Sequence, residues 1–187
     1  MNNKKRLSVI VLAFVLLLVG AYVLYGRLSP QAEDDRLSSQ GGDTAEESRI
    51  EAPDFTVYDG EGTAVQLSDY IGKPIVLNFW ASWCGPCQME MPDFHQKYLE
   101  LGDKVHFLMI NSTGGRETVD TAKDFLKNNG YTFPVFYDLD ADASMRYGAY
   151  SLPTTYFIDA DGYAVAQAQG AISAGLLQQG IDMIYKG

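Results

Sequence analysis

Apolar and polar positions fall into three regimes along the chain. Residues 7–25 are uncharged and almost wholly apolar, residues 28–51 are rich in Ser, Gln, Gly, Asp and Glu, and from residue 52 onward short apolar runs alternate with turn-forming residues. The first regime predicts a transmembrane helix, because at about 1.5 Å per residue its length nearly matches a hydrocarbon core of about 30 Å. A cleaved signal peptide is the alternative. It needs a shorter apolar region followed by small residues at a cleavage site, a poor match to Gly20-Ala21-Tyr22 and to Tyr25-Gly26-Arg27, and no cysteine lies nearby to carry a lipid. The second regime has only scattered apolar side chains, such as Leu28, Leu37 and Ile50, and predicts a flexible, charged tether. The expected organisation is an anchor over 1–27 with its membrane span at 7–25, a linker over 28–51 and a folded domain over 52–187.

Within that domain, residues 55–58 and 63–67 read as short strands around the turn Asp59-Gly60-Glu61-Gly62, an opening β-hairpin. Residues 75–79 and 105–110 are buried-strand runs, and the segment between them, about 84–101, has helical character and stops at Gly102. That is a β-α-β unit, so the two strands should be parallel and the crossover right-handed. Val119, Ala122, Phe125 and Leu126 recur at helical spacing before Asn129-Gly130, a good carboxyl-terminal cap. Strands follow at 133–137 and 154–158, and Asp161-Gly162 turns the latter into 163–168. Ser173 then caps a helix with the apolar stripe Leu176, Leu177, Ile181 and Ile184. The fold class is α/β with a mixed sheet.

Charge changes the picture in two ways. Lys4, Lys5, Arg6 and Arg27 are the only charges in residues 1–27, so the rest of the chain holds 10 of the 14 basic residues against all 24 acidic ones, a net of −14. Such a body is repelled by nucleic acid, which excludes a nucleic-acid partner. The basic residues before the span, and Glu33, Asp34 and Asp35 after it, leave the amino terminus in the cytoplasm and the domain outside. The expected location is the cell membrane, single-pass, with the folded domain extracytoplasmic.

Cys84 and Cys87 are the only two cysteines, so no disulfide framework staples the fold. They stand where a buried strand meets a helix. There the first cysteine faces unpaired amides and the positive end of the helix dipole, which stabilises a thiolate. Thiols in such settings ionise at about 3.5 to 7.5 rather than about 8.5, which makes Cys84 a nucleophile near neutral pH. Cys87, one turn on, points back towards Cys84 and can close a disulfide, and Pro86 in the first turn costs no helical hydrogen bond. A structural bridge or half of a zinc site are the bland alternatives. The first leaves Trp83, Gly85 and Pro86 without a reason, and for the second His95 and His106 lack the spacing of ligands. No metal and no organic cofactor is expected.

The run from Asn78 to Cys87, ending Trp83-Cys84-Gly85-Pro86-Cys87, resembles the active-site segment of the thioredoxin superfamily. The likeness extends over roughly 52–187 and implies a thioredoxin-like fold. Pro92 falls where such proteins kink their first helix, and Ser151-Leu152-Pro153-Thr154 looks like the cis-proline loop facing the disulfide. By that resemblance Leu152 and Pro153 border the substrate with Trp83, Gly85 and Pro86, an ordinary trans turn at Pro153 being the alternative. Where thioredoxins have a buried aspartate this chain has Asn78, and Glu90 lies three residues after Cys87. The run Cys87-Gln-Met-Glu90-Met-Pro92, the anchor and the long segment 111–137 resemble the TlpA/ResA-like membrane-anchored reductases. In that family the matching glutamate influences protonation of the pair, so Glu90 is assigned a proton-shuttle part; a solvated helix-surface carboxylate is its alternative. Trp80, His95 and His106 are expected to be structural, and Tyr147 and Tyr150 to pack or line the groove.

The resemblance implies thiol-disulfide exchange on exported proteins such as apocytochrome c, with a transmembrane electron-donor protein restoring the dithiol. Two rival activities share some features. A peroxiredoxin-type peroxidase has the general fold but a different local cysteine motif. A copper metallochaperone would need a further, distal ligand for which there is no clear candidate.

Overall fold

The structure is a computed structural model, and it describes residues 12, 15–19, 37–39 and 50–187. Among the described residues no helix is long and apolar enough to cross a membrane. The span expected over 7–25 lies outside them except at 12 and 15–19, which are helical.

Among the described residues nine strands form one sheet: β1 (Leu37–Ser39), β2 (Ile50–Glu51), β3 (Thr56–Tyr58), β4 (Ala64–Gln66), β5 (Ile75–Trp80), β6 (His106–Asn111), β7 (Val135–Tyr137), β8 (Thr154–Ile158) and β9 (Tyr163–Gln169). Their spatial order is β1-β9-β8-β5-β6-β7-β3-β4, with β2 also on β9. The central strand β5 runs parallel to β6 and antiparallel to β8, so the sheet is mixed. β3 and β4 pair antiparallel at the far edge, Val57 opposite Val65. At the other edge β1 and β2 pair antiparallel with β9. The segment expected to be a tether over 28–51 therefore contributes two short strands to the sheet. The edge of β9 offers open backbone groups that even a polar segment can pair with, which apolar patterning does not register.

Among the described residues from 50 onward, four α-helices accompany the sheet: α1 (Gly85–Leu101), α2 (Val119–Asn129), α3 (Asp142–Arg146) and α4 (Ala174–Ile184). α2 ends at Gly130 in the left-handed conformation, φ 71°, as its Asn129-Gly130 ending predicts. Two elements carry no periodic signal, a 3-10 turn over Leu67–Tyr70 and the five-residue α3. α3 is held by its flanks, since the buried Asp138 carboxylate accepts from Ala143 N and Ser144 N at 3.1 and 2.8 Å.

All six residues of β5 are buried, and side chains alternate between the faces of a strand. Ile75, Leu77 and Phe79 join a core with Leu108, Ile110, Tyr147 and Tyr156. Val76 and Trp80 face the other way, into a core with Met91, Phe94, Phe157, Leu177 and Ile181 that α1 and α4 cover. Asn78 has the parity of Val76 and Trp80, which places an amide beneath α1. α4 approaches closely: a Cβ on the buried Gly180 would overlap the Phe157 ring.

Candidate active site

β5 ends at Trp80, and the chain passes through Ala81, Ser82 and Trp83 to Cys84, the N-cap of α1. Cys84 N donates to Ala81 O at 3.2 Å, and Cys87 N donates to Cys84 Sγ at 3.2 Å. The second bond is the one a helix amino terminus offers to a sulfur anion at the cap. Cys84 and Cys87 form a disulfide, their Cα atoms 5.2 Å apart. Their access to solvent differs, with Cys84 5% exposed and Cys87 fully buried.

A cleft of about 490 Å³ opens over Cys84. Trp83, Gly85, Pro86 and Leu152 line it, together with Arg116 and Tyr150. The Leu152-Pro153 peptide is cis. Among the described residues neither the N–H nor the C=O of Leu152 has a hydrogen-bond partner, whereas the Pro153 carbonyl accepts from Gly170 N at 2.8 Å. Cys87, Glu90 and Pro153 lie behind this surface rather than on it. Tyr150 is 82% exposed on the rim, but Tyr147 is buried, and burial holds its phenol protonated far above the ordinary range.

Glu90 is on the core-facing stripe of α1 with Cys87, Met91 and Phe94, the i, i+3, i+4, i+7 face of a helix. Its solvated-surface alternative is thereby ruled out. Asn78 Nδ2 donates to Glu90 Oε1 at 2.8 Å and to Thr155 Oγ1 at 3.0 Å, and Ile172 N donates to Glu90 Oε2 at 3.0 Å. Burial raises the Glu90 carboxyl from its ordinary value to about 7, against the two hydrogen bonds from Ile172 and Asn78 that favour the charged form. The side chain therefore exchanges a proton near neutral pH.

A second buried carboxylate, Glu117, was not legible from the motif. Glu117 Oε1 accepts from Ser82 N at 2.9 Å and from Asn111 Nδ2 at 2.7 Å, and Oε2 accepts from Ser82 Oγ at 2.7 Å. This ties the segment before Cys84 to the loop after β6. Arg116, its neighbour, lies with Cζ 3.8 Å from the centroid of the half-exposed Trp83 ring. The paired glycines Gly114-Gly115 were the one sequence signal for a tight turn there.

A buried parallel strand, a disulfide-bonded cysteine pair at the amino terminus of the following helix and a cis-proline loop across a cleft define a thioredoxin-like disulfide-exchange site. The chain belongs to the AhpC/TSA family, whose model matches residues 49–166. It is 38% identical over 123 residues to the thiol-disulfide oxidoreductase ResA of Bacillus thuringiensis subsp. konkukian (strain 97-27), spanning 64% of this chain and 68% of that protein. To ResA of Oceanobacillus iheyensis it is 33% identical, over 95% of this chain and 89% of the relative. A crystal structure of a putative thiol:disulfide interchange protein DsbE from Chlorobium tepidum superposes with a TM-score of 0.64 at 30% identity, covering 72% of this chain and 95% of that one. The protein is a thiol-disulfide oxidoreductase.

Proposed function

We propose that the chain reduces disulfides in exported proteins through Cys84 and Cys87, apocytochrome c being a candidate substrate, from a domain tethered outside the cell by the 7–25 segment. Cys84 thiolate attacks one substrate sulfur. A Cys84-substrate mixed disulfide forms as the substrate S–S bond breaks, and the other substrate sulfur leaves as a thiolate. Cys87 then gives its proton to the Glu90 carboxylate and attacks Cys84 Sγ. This closes the Cys84-Cys87 disulfide, breaks the mixed disulfide and releases the second substrate thiolate. Two electrons pass to the substrate, and a transmembrane dithiol donor returns them to the pair.

The observation that carries this order is the difference in access: Cys84 opens on the cleft, and Cys87 is enclosed beneath it. Leu152 supports the substrate side, because its unpaired N–H and C=O can pair with an extended chain as a strand edge does. A Cys87→Ala variant should accumulate mixed disulfides with exported proteins, and a Cys84→Ala variant none. Capture of nothing by the first, with exchange activity intact, would reverse the assignment. Protease added to intact cells should digest residues 52–187, and full protection would place the domain inside.

A further inference from the structure

The outer wall of the cleft is built by a loop that the exchange chemistry does not use. After β6, Gly114 N donates to Glu117 O at 2.9 Å and Glu117 N to Gly114 O at 3.0 Å, closing a tight turn with Gly115 and Arg116 at its tip. Gly114 and Gly115 have φ of 144° and 59°, conformations that side chains bearing a Cβ rarely adopt. The three hydrogen bonds of the buried Glu117 carboxylate fasten this turn to Ser82 and Asn111. The exposed Arg116 is thus presented from an anchored base, with its guanidinium carbon over the Trp83 ring.

Among the described residues its N–H donors have no hydrogen-bond partner, so the guanidinium fork can take one. Among the described residues no carboxylate forms an ion pair with Arg116. It is also the one charged side chain among the residues described as lining the cleft with Cys84. Attack by Cys84 brings the residues beside a substrate disulfide against these walls, and a planar fork of N–H donors matches a carboxylate in two parallel hydrogen bonds.

We propose that Arg116, displayed on Trp83 and anchored through Glu117, is a recognition site for a side-chain carboxylate in the polypeptide segment flanking the disulfide of a protein substrate. This rests on the reading that Cys84 attacks protein disulfides. With a net charge of −14 beyond position 27, the chain repels acidic proteins as wholes, so Arg116 reads a single local carboxylate and not the overall charge of the partner.

The test uses the reduced full-length protein and three peptide disulfides identical except for Glu, Gln or Lys beside the cysteine. At low salt the wild type should exchange with the Glu peptide about threefold to tenfold faster than with the Gln peptide, as a partly exposed charge-assisted pair permits. The ratio should shrink at about 1 M salt, where the screening length is about 3 Å. In Arg116→Gln the Glu-to-Gln ratio should fall to about one, and Arg116→Glu should favour the Lys peptide. Equal rates on the Glu and Gln peptides in the wild type, or a preference that survives Arg116→Gln, would overturn the proposal. Cys84→Ala separates the two layers: loss of exchange on all three peptides upholds the nucleophile, and retained exchange sinks the underlying reading whatever the ratios.

Discussion

Asn78 donates from Nδ2 to Glu90 Oε1 across 2.8 Å, joining the middle of the central strand to the helix that begins at the cysteines. Both amide protons of Asn78 are engaged, the second by Thr155 Oγ1, while its Oδ1 has no partner. The amide therefore presents only donors to the carboxylate and favours the charged form of Glu90.

Asn78→Ala should raise the titration midpoint of Glu90 further above 7, since a bond that lowers it is lost while burial remains. Carbon-13 NMR of the Glu90 carboxyl against pH measures this. A midpoint that falls would contradict the role given to Asn78.

Glu90 also makes stability depend on pH. Its folded value of about 7 lies above 4.5, so its contribution is fully present below about pH 4.5 and is lost as pH rises through about 7. Relative to Glu90→Gln, which carries no charge at any pH, the wild type should lose about 3 kcal/mol between pH 4.5 and pH 8. Urea unfolding of both proteins at the two pH values reads the difference, and parallel stabilities would refute it. The same variant should slow resolution of the mixed disulfide about a hundredfold at pH 7 in single-turnover kinetics, the scale of a lost general base.

Glu117→Ala should strip the acceptor from Ser82 N, Ser82 Oγ and Asn111 Nδ2, at a cost of about 2 kcal/mol for donors left without partners. Hydrogen exchange of the Ser82 amide should accelerate well beyond that of β5. Unchanged protection at Ser82 would mean that the carboxylate does not hold the loop.

Gly180→Ala should destabilise the domain by about 1 to 2 kcal/mol despite the better helix propensity of alanine, because the new methyl would overlap the Phe157 ring and force it to shift in a full core. Adding Phe157→Leu should recover part of the loss, and strict additivity of the two changes in denaturant melts would show that they do not touch.

Strands, the main helices and the dithiol were legible because each has a local signature. β5 and β6 are short, mostly apolar runs, α1 and α4 carry helical stripes, and the cysteines sit in a dense motif. Pairing at the β9 edge was not, since β1 and β2 gain hydrogen bonds there rather than burying a periodic face. The burial of Glu90 was open from sequence because a carboxylate three residues after Cys87 fits a core stripe or a wet flank equally well. What settles it is distant in the chain: Ile172 N, 82 residues away, and the parity of Asn78 along β5. Glu117 and Arg116 escaped for a similar reason, their partners Ser82 and Trp83 lying on another loop.

The unequal burial of the two sulfurs has a consequence for durability. An oxidant arriving from solvent meets Cys84 and not Cys87. Oxidation of Cys84 to a sulfenic acid leaves it within reach of the enclosed Cys87 thiol, which condenses with it, expelling water and giving the same disulfide that turnover produces. Accidental damage at the exposed atom is thereby folded back into the working cycle before the irreversible, more oxygenated acids can form.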